Sequence, residues 1–289
     1  MRPVPPCRRA RTVAAPLIAT TVAVATLLAG CGGAAAPTTP APPPPLPRYT
    51  TLAELGSATG AEMKADRTAK ITITAGTSGG SAQASTTGDG ALSFGPDGLS
   101  MTITQRVQRP EASTPAELTF VVLPDQAYVK PPVEAGYPLP AGKSWLRIQP
   151  NSSDPVSQQF AQLVQSVRAN ADPTQSFTQF GDAASIVQSA EETLDGVRAV
   201  RYLIRVDVAK AAAQERDPVL KQELQQTASS GMSVVDSSLW LDARNRPLRV
   251  SLQQALPAGQ GTYTVDARYH DWGQPVQIAP PPADQVASI

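Results

Sequence analysis

A proline-rich stretch near the start of the chain limits what can fold. Residues 32–48 read GGAAAPTTPAPPPPLPR and contain seven prolines, with no periodic apolar positions. Because proline fixes φ and lacks a backbone donor, this stretch predicts an extended tether rather than a helix or strand. At about 3.1 Å per residue it would reach roughly 50 Å. We therefore expect the core to come from residues 49–289, a length that suits one domain.

The segment before the tether has the layout of a secretion signal. Four arginines stand among the first 11 residues, and an uncharged run rich in Ala, Val, Leu and Thr follows to Gly30. A permanent span needs about 20 strongly apolar residues, whereas this run contains Pro16 and several threonines. Residues 1–30 are therefore predicted to be a cleaved signal peptide.

The signal ends in a motif that predicts lipidation. Leu28, Ala29, Gly30 and Cys31 resemble the bacterial lipobox, in which small residues precede a cysteine that receives a diacylglycerol. The alternative is an ordinary cleavage site beside a free cysteine. The lipobox predicts an exported chain held by acyl groups on the outer face of a membrane, with residues 31–48 as lipidated cysteine and tether.

Charge and cysteine content narrow the partners. The chain has two cysteines, Cys7 in the signal and Cys31 at the anchor, so no pair remains for a disulfide in the mature part. Removing four signal arginines leaves 20 Lys+Arg against 24 Asp+Glu. A mildly acidic chain without basic runs argues against nucleic-acid binding. It also argues against attachment to anionic lipids through a cluster of basic residues. We expect a monomer that binds no cofactor.

The apolar pattern predicts strands interrupted by helices. A first helix is expected over residues 52–66, followed by a strand over 69–75 and by turns at 87–90 and 95–98. Asp154-Pro155 and Asp217-Pro218 each predict a helix start. Further strands are expected at 99–104, 118–123, 128–130, 144–149, 185–193, 197–208, 232–242, 248–256 and 262–270. Strands and helices that do not alternate one for one favour an α+β fold, an antiparallel sheet with helices on one face.

Three segments resemble a known family. They are 202–210 (YLIRVDVAK), 239–242 (LWLD) and 269–276 (YHDWGQPV). Together with the lipobox and the order of elements, they resemble the LppX/LprG-type actinobacterial lipoproteins, which have the LolA-like fold. The resemblance implies a strongly curved antiparallel sheet, a half-barrel whose concave face is covered by helices and encloses an apolar cavity. It also implies a protein that carries or presents a lipid or glycolipid in the envelope.

The strand pattern indicates which residues would face such a cavity. Val200, Tyr202, Ile204 and Val206 alternate with Arg201 and Arg205, and arginine prefers water, so the first set should point inward. Ordinary core is the simpler explanation of each apolar position, and cavity wall is the alternative. The full set of candidate wall residues is Ile71, Ile73, Met101, Ile103, Phe120, Val122, Phe160, Leu163, Val167, Val200, Tyr202, Ile204, Val206, Leu220, Leu224, Leu248, Val250 and Leu252.

The sequence also contains one motif of an enzyme. Residues 76–80 fit G-x-S-x-G around Ser78, and the single histidine, His270, follows downstream as in an α/β-hydrolase. A nucleophile elbow needs a helix after the serine, and no helical pattern follows here. We therefore expect no enzyme and no catalytic residue. With one histidine and no spaced acidic cluster, we expect no metal site.

Two alternatives to lipid carriage stay open. One is an envelope lipoprotein with a filled core that acts through a protein partner, as a structural or sensory module. The other is an esterase. Trp145, Trp240 and Trp272 are equally consistent with a ligand site and with cover over a sheet edge.

Overall fold

Alternating apolar residues form strands that pair into one open sheet. The computed structural model describes residues 44–79, 83–132, 139–149, 154–174, 179–216, 218–256 and 259–288. Cys31, the signal and most of the tether lie outside these ranges. A compact unit spans Pro45–Ile289, so Leu46, Pro47 and Arg48, which were expected in the tether, belong to it.

The described residues form twelve strands. In chain order they are β1 Thr68–Ser78, β2 Ser85–Gly95, β3 Gly98–Gln108, β4 Ala116–Val122, β5 Ala127–Lys130, β6 Trp145–Ile148, β7 Ala184–Leu194, β8 Val197–Asp207, β9 Val234–Leu241, β10 Pro247–Ala255, β11 Thr262–His270 and β12 Val286–Ser288.

The sheet joins two consecutive runs of strands. Its order is β12-β6-β5-β4-β3-β2-β1-β11-β10-β9-β8-β7. All pairs are antiparallel except β12 with β6. The pairing of β1 with β11 connects the first run, β1–β6, to the second, β7–β11. The strongly curved antiparallel sheet of an α+β half-barrel, expected from the sequence, is therefore confirmed.

Four helices accompany the sheet in the described ranges. They are α1 Leu52–Asp66, α2 Pro155–Ala171, α3 Val208–Gln214 and α4 Pro218–Ser229. Thr51 caps α1 by accepting from the Glu54 N–H, and Asp154 caps α2 by accepting from the Ser157 N–H at 2.7 Å. Both helix starts are where the sequence predicts them. Helix α3 was not predicted, because the alternating run of β8 leads directly into it.

Helices α1 and α2 cover the concave side of the sheet. Leu55 and Met63 of α1 and Val164 and Val167 of α2 are buried there. Helix α3 packs against α4 near the end of β8. The face that α1 and α2 cover is called the inner face below, and the opposite side is called the outer face.

The predicted turn at 87–90 is wrong, whereas the turn at 95–98 is confirmed. Gly88 and Gly90 lie inside β2, where Gly88 pairs with Ile73 and Gly90 pairs with Ile71 and Ile103. A Cβ on Gly90 would lie 2.3 Å from the carbonyl oxygen of Thr102. Glycine is needed at this position because the two strands approach closely. The local sequence does not distinguish such a glycine from one in a turn.

Candidate ligand-binding face

Most of the predicted wall residues lie on the inner face, in two clusters. The larger cluster lies under α2 on β1–β6, β11 and β12. Its buried members include six candidate residues, with three more packed at its edge. The six are Ile71, Met101, Ile103, Phe120, Val122 and Val167, and the three are Ile73, Phe160 and Leu163.

The smaller cluster lies on β8 and β9. Val200, Tyr202 and Ile204 are buried in it against Leu239 and Leu241, and Leu52 and Leu55 of α1 cover them. Val250 on β10 packs against both clusters. The inner face is therefore continuous, with Val250 at the junction.

The remaining four candidates are less buried. Val206 and Leu252 are partly buried on the strands, and Leu220 and Leu224 are partly buried on α4. Neither cluster includes them. Helix α4 packs against α3, and among the described residues its apolar stripe makes no extensive contact with α2 across the inner face.

Leu248 occupies a different place. It is the extra residue at a bulge, because Pro247 pairs with Leu241 and Arg249 with Trp240. It lines a pocket of about 380 Å³ with Asp195, Arg268 and His270. The expectation that Leu248 faces inward with Val250 fails at this bulge, which redirects the side chain.

A large open groove runs beside α1. It has a volume of about 780 Å³ and lies between the first half of α1, the 3₁₀ turn Gly181–Ala183 and the start of β7. Leu52 and Ile186 supply its larger apolar side chains. The other lining residues are Thr50, Thr51, Ala53, Gly56, Ser57, Thr174, Gly181, Asp182, Ala184 and Ser185.

Small side chains on α1 keep this groove open. Ala53, Gly56 and Ser57 line it, and a Cβ on Gly60 would come no closer than 4.0 Å to the Thr174 side chain. Glycine inside a helix costs about 1 kcal/mol relative to alanine. The buried side chains of Leu55 and Met63 and the Thr51 cap stabilise α1 despite this cost. Gly56, which lowers the helix propensity of this segment, therefore lines the groove.

An aromatic group closes the inner face near the end of β11. Trp272 stacks on Phe94 and on Tyr269, each at 6.1 Å between ring centroids. Burial raises the pKa of Tyr269 well above its ordinary value. Its hydroxyl lies 3.5 Å from the carbonyl oxygen of Ala171 at the end of α2. This part of the distinctive 269–276 segment therefore joins β11 to α2.

The outer face carries paired charges, as the alternation predicts. Arg205 makes two hydrogen bonds of 2.7 Å to Asp236, which lower the pKa of that carboxyl group. Arg201 lies beside Glu192. Trp240 also faces outward, with the Arg249 guanidinium 4.8 Å from its ring centroid. Trp240 therefore packs on the outer face of the sheet and not on the candidate ligand-binding face.

Ser78 and His270 do not meet. Ser78 of β1 pairs with Thr262 of β11, whereas His270 of β11 pairs with Lys70 of β1. Lys70 and Ser78 are eight positions apart along β1, a distance of roughly 26 Å at about 3.3 Å per residue. His270 instead lies 3.4 Å from Asp271, whose pKa is lowered chiefly by the hydrogen bond from Lys70.

The described ranges hold no group of three or more His, Cys, Asp or Glu side chains placed to share a metal ion. In the same part of the chain, no helix has the length and apolar character needed to cross a bilayer.

The fold is similar to several solved structures. One is LprF from Mycobacterium bovis, at 13% identity and a TM-score of 0.42, over 81% of this chain and 99% of that one. Another is a LolA superfamily protein from Nitrosomonas europaea, at 9% identity and a TM-score of 0.25, over 77% and 93%. No family model matches the sequence, and no curated protein matches it.

The fold class rests on the strand order described above.

Proposed function

We propose that the chain is an envelope lipoprotein that binds a lipid or glycolipid and carries or presents it. The observation that supports this proposal most is the open groove of about 780 Å³ beside α1. Its volume lies within the range of small-molecule sites, about 300–1,000 Å³. Binding there requires no catalytic group, since each buried methylene contributes about 0.8 kcal/mol.

The lining of the groove suits an amphipathic ligand. Leu52 and Ile186 offer apolar surface to an acyl chain, and both also belong to or pack against the smaller cluster. Three residues with hydroxyl groups, Thr50, Ser57 and Ser185, line the same groove. Hydroxyls donate and accept hydrogen bonds, so they suit the sugar or glycerol part of a lipid.

The proposal includes the anchor and the absence of catalysis. Acylation of Cys31 would hold the protein at the outer face of a membrane, where lipids are available. The separation of Ser78 from His270 along β1 supports a role without ester hydrolysis.

A second candidate function is binding of a protein partner. Strand β7 is an edge strand of 11 residues, and Val187, at the irregularity in its pairing with β8, is 44% exposed. An edge strand presents unpaired backbone groups on which another chain can add a strand. This reading needs no ligand in the groove.

A matched pair of variants tests the groove. Ala53 and Ala61 are both exposed alanines on α1, and of the two only Ala53 lines the groove. Ala53→Trp should fill the groove and weaken binding of a fluorescent phospholipid at least tenfold, while Ala61→Trp should leave binding unchanged. Mass spectrometry of organic extracts from the protein purified from its native envelope should find a bound lipid. If the parent protein neither retains a lipid nor binds the probe at micromolar concentration, the partner reading is favoured.

A further inference from the structure

The residues just before α1 lie across the inner face. We call residues 45–51 the entry segment. Leu46 is 7% exposed and packs in the smaller cluster with Val200 and Tyr202. Its neighbours Pro45, Pro47 and Arg48 are exposed. One apolar side chain of the entry segment therefore fills a position on the wall where the sequence predicts a ligand.

The entry segment also satisfies the polar end of Tyr202. The Tyr202 hydroxyl accepts from the Tyr49 N–H at 3.2 Å and donates to the carbonyl oxygen of Pro47 at 3.3 Å. Burial raises the pKa of Tyr202, so the hydroxyl stays protonated and can donate. A phenol in this position would meet the polar group of a ligand equally well once the entry segment had moved.

Few interactions hold the entry segment in place. The Tyr49 hydroxyl donates to Asn245 at 3.0 Å, and Arg48 lies 3.5 Å from Glu191 with about half of its side chain exposed. Among the described residues, no backbone–backbone hydrogen bond joins residues 45–50 to the sheet. The attachment thus depends on the buried Leu46, on Tyr49, which packs on the smaller cluster with its ring 6.4 Å from that of Tyr202, and on a few polar contacts, one of them between the Leu46 backbone and Glu191.

The entry segment runs from the smaller cluster to the edge of the groove. Thr50 and Thr51 at its end line the groove, and so does Leu52, which packs on the smaller cluster. Moving residues 46–49 would remove Leu46 and Tyr49 from the smaller cluster and expose part of the wall at Val200 and Tyr202, beside a groove that is already open. The groove and the uncovered wall would then form one longer apolar site.

We infer that the entry segment is a displaceable plug, and that an acyl chain bound in the groove extends into the place of Leu46 and Tyr49. This inference rests on the proposed function. In the closed form the groove alone accepts a short chain. A long chain binds only in the fraction of molecules whose plug has moved, which weakens its apparent affinity by that fraction.

Chain length is the variable that tests the plug. The exported Cys31→Ala chain, which carries no acyl group of its own, would be titrated with fatty acids of 8 to 18 carbons competing against a fluorescent acyl probe. In the parent, the gain of about fourfold per buried methylene should stop at an intermediate length. Leu46→Ala should bind the longest acids about tenfold more tightly and the shortest acids equally.

A control separates plug release from general destabilisation. Val129 is fully buried in the larger cluster, away from the entry segment, so Val129→Ala should lower the melting temperature without changing the dependence on chain length. Amide hydrogen exchange adds a direct readout, because the Tyr49 N–H should exchange faster when an 18-carbon acid is bound.

The outcomes distinguish the two proposals. If the parent binds fatty acids but Leu46→Ala matches it at every length, or the Tyr49 amide becomes better protected on binding, the plug is wrong and lipid binding stands. The plug is equally wrong if Val129→Ala changes the length dependence as Leu46→Ala does. If no acid binds to any of the three proteins, the proposed function fails and the plug fails with it.

Discussion

The indole N–H of Trp272 donates to the carbonyl oxygen of Pro247 at 3.0 Å, directly at the bulge of β10. Replacing Trp272 with alanine removes this bond and both ring stacks, and should cost about 3 kcal/mol of unfolding free energy. Trp272→Phe keeps the stacking and should cost about 1 kcal/mol. Urea unfolding of the two variants checks this order. Equal losses would show that the hydrogen bond, rather than the stack, dominates.

Glycine in β2 gives a sharper test of packing. A Cβ at position 90 would lie 2.3 Å from the Thr102 carbonyl oxygen and 2.7 Å from Ile103. Gly90→Ala should therefore destabilise the protein by about 1–3 kcal/mol through overpacking. Gly88→Ala is the control, since its nearest contact is the flexible Gln105 side chain at 3.4 Å. Thermal melting should separate the two variants clearly, and a tolerated Gly90→Ala would contradict the strand register.

A buried carboxylate holds the turn between β9 and β10. Asp242 is 6% exposed and accepts from the backbone N–H groups of Arg244 and Arg246 and from the Arg246 guanidinium. Asp242→Ala should cost about 3 kcal/mol, because it leaves buried donors unpaired. Asp236→Ala removes a more exposed ion pair with Arg205 and should cost about 1 kcal/mol or less. Denaturant unfolding of the two variants checks this difference. Equal midpoints for Asp242→Ala and Asp236→Ala would contradict the prediction.

The hydrolase-like motif around Ser78 should have no catalytic role. Ser78→Ala and His270→Ala are expected to leave lipid binding unchanged, because the two residues lie at opposite ends of the β1–β11 pair and do not line the groove. Each variant would be assayed with a short-chain nitrophenyl ester after purification to homogeneity. An ester-hydrolysis rate in the parent that disappears in both variants would overturn the proposal of a non-enzymatic role.

The anchor prediction concerns the part of the chain outside the described residues. Cys31→Ala should move the protein from the membrane fraction to the soluble fraction, because the acyl chains are the expected means of attachment. Fractionation after a high-salt wash checks this result. Retention of the variant in the membrane would show that another attachment exists.

Local patterns predicted the elements that local physics determines. Helix α1 has the predicted bounds, and the Asp154-Pro155 start of α2 is where cap chemistry places it. Helix α3 was missed because Asp207 both ends β8 and caps α3, accepting from the Lys210 N–H at 2.9 Å. A strand of three residues such as β12 offers too little alternation to be found.

The groove could not be predicted from apolar periodicity. Its lining comes from residues 50–57, Thr174 and 181–186, which are distant in sequence and mostly small or polar. The inward alternation of Val200, Tyr202 and Ile204 was correct, but the sequence gives no sign that Leu46 covers them. A leucine between prolines resembles a tether residue until the tertiary contacts are known. Leu248 was placed on the wrong face because a bulge changes the alternation without a local signal.

The pairing of β1 with β11 has a consequence for how the chain acquires its fold. Gly76 and Thr264, which face each other across this pair, are 188 positions apart in the sequence. Such a topology has high contact order, so the entropy of closing a long loop must be overcome before the two runs of strands stabilise each other. Until β11 is available, β1 and β10 each expose an unpaired edge that invites association with other chains. We therefore expect slow refolding from denaturant, on the scale of milliseconds to seconds or longer, and a dependence on chaperones that shield these edges during synthesis.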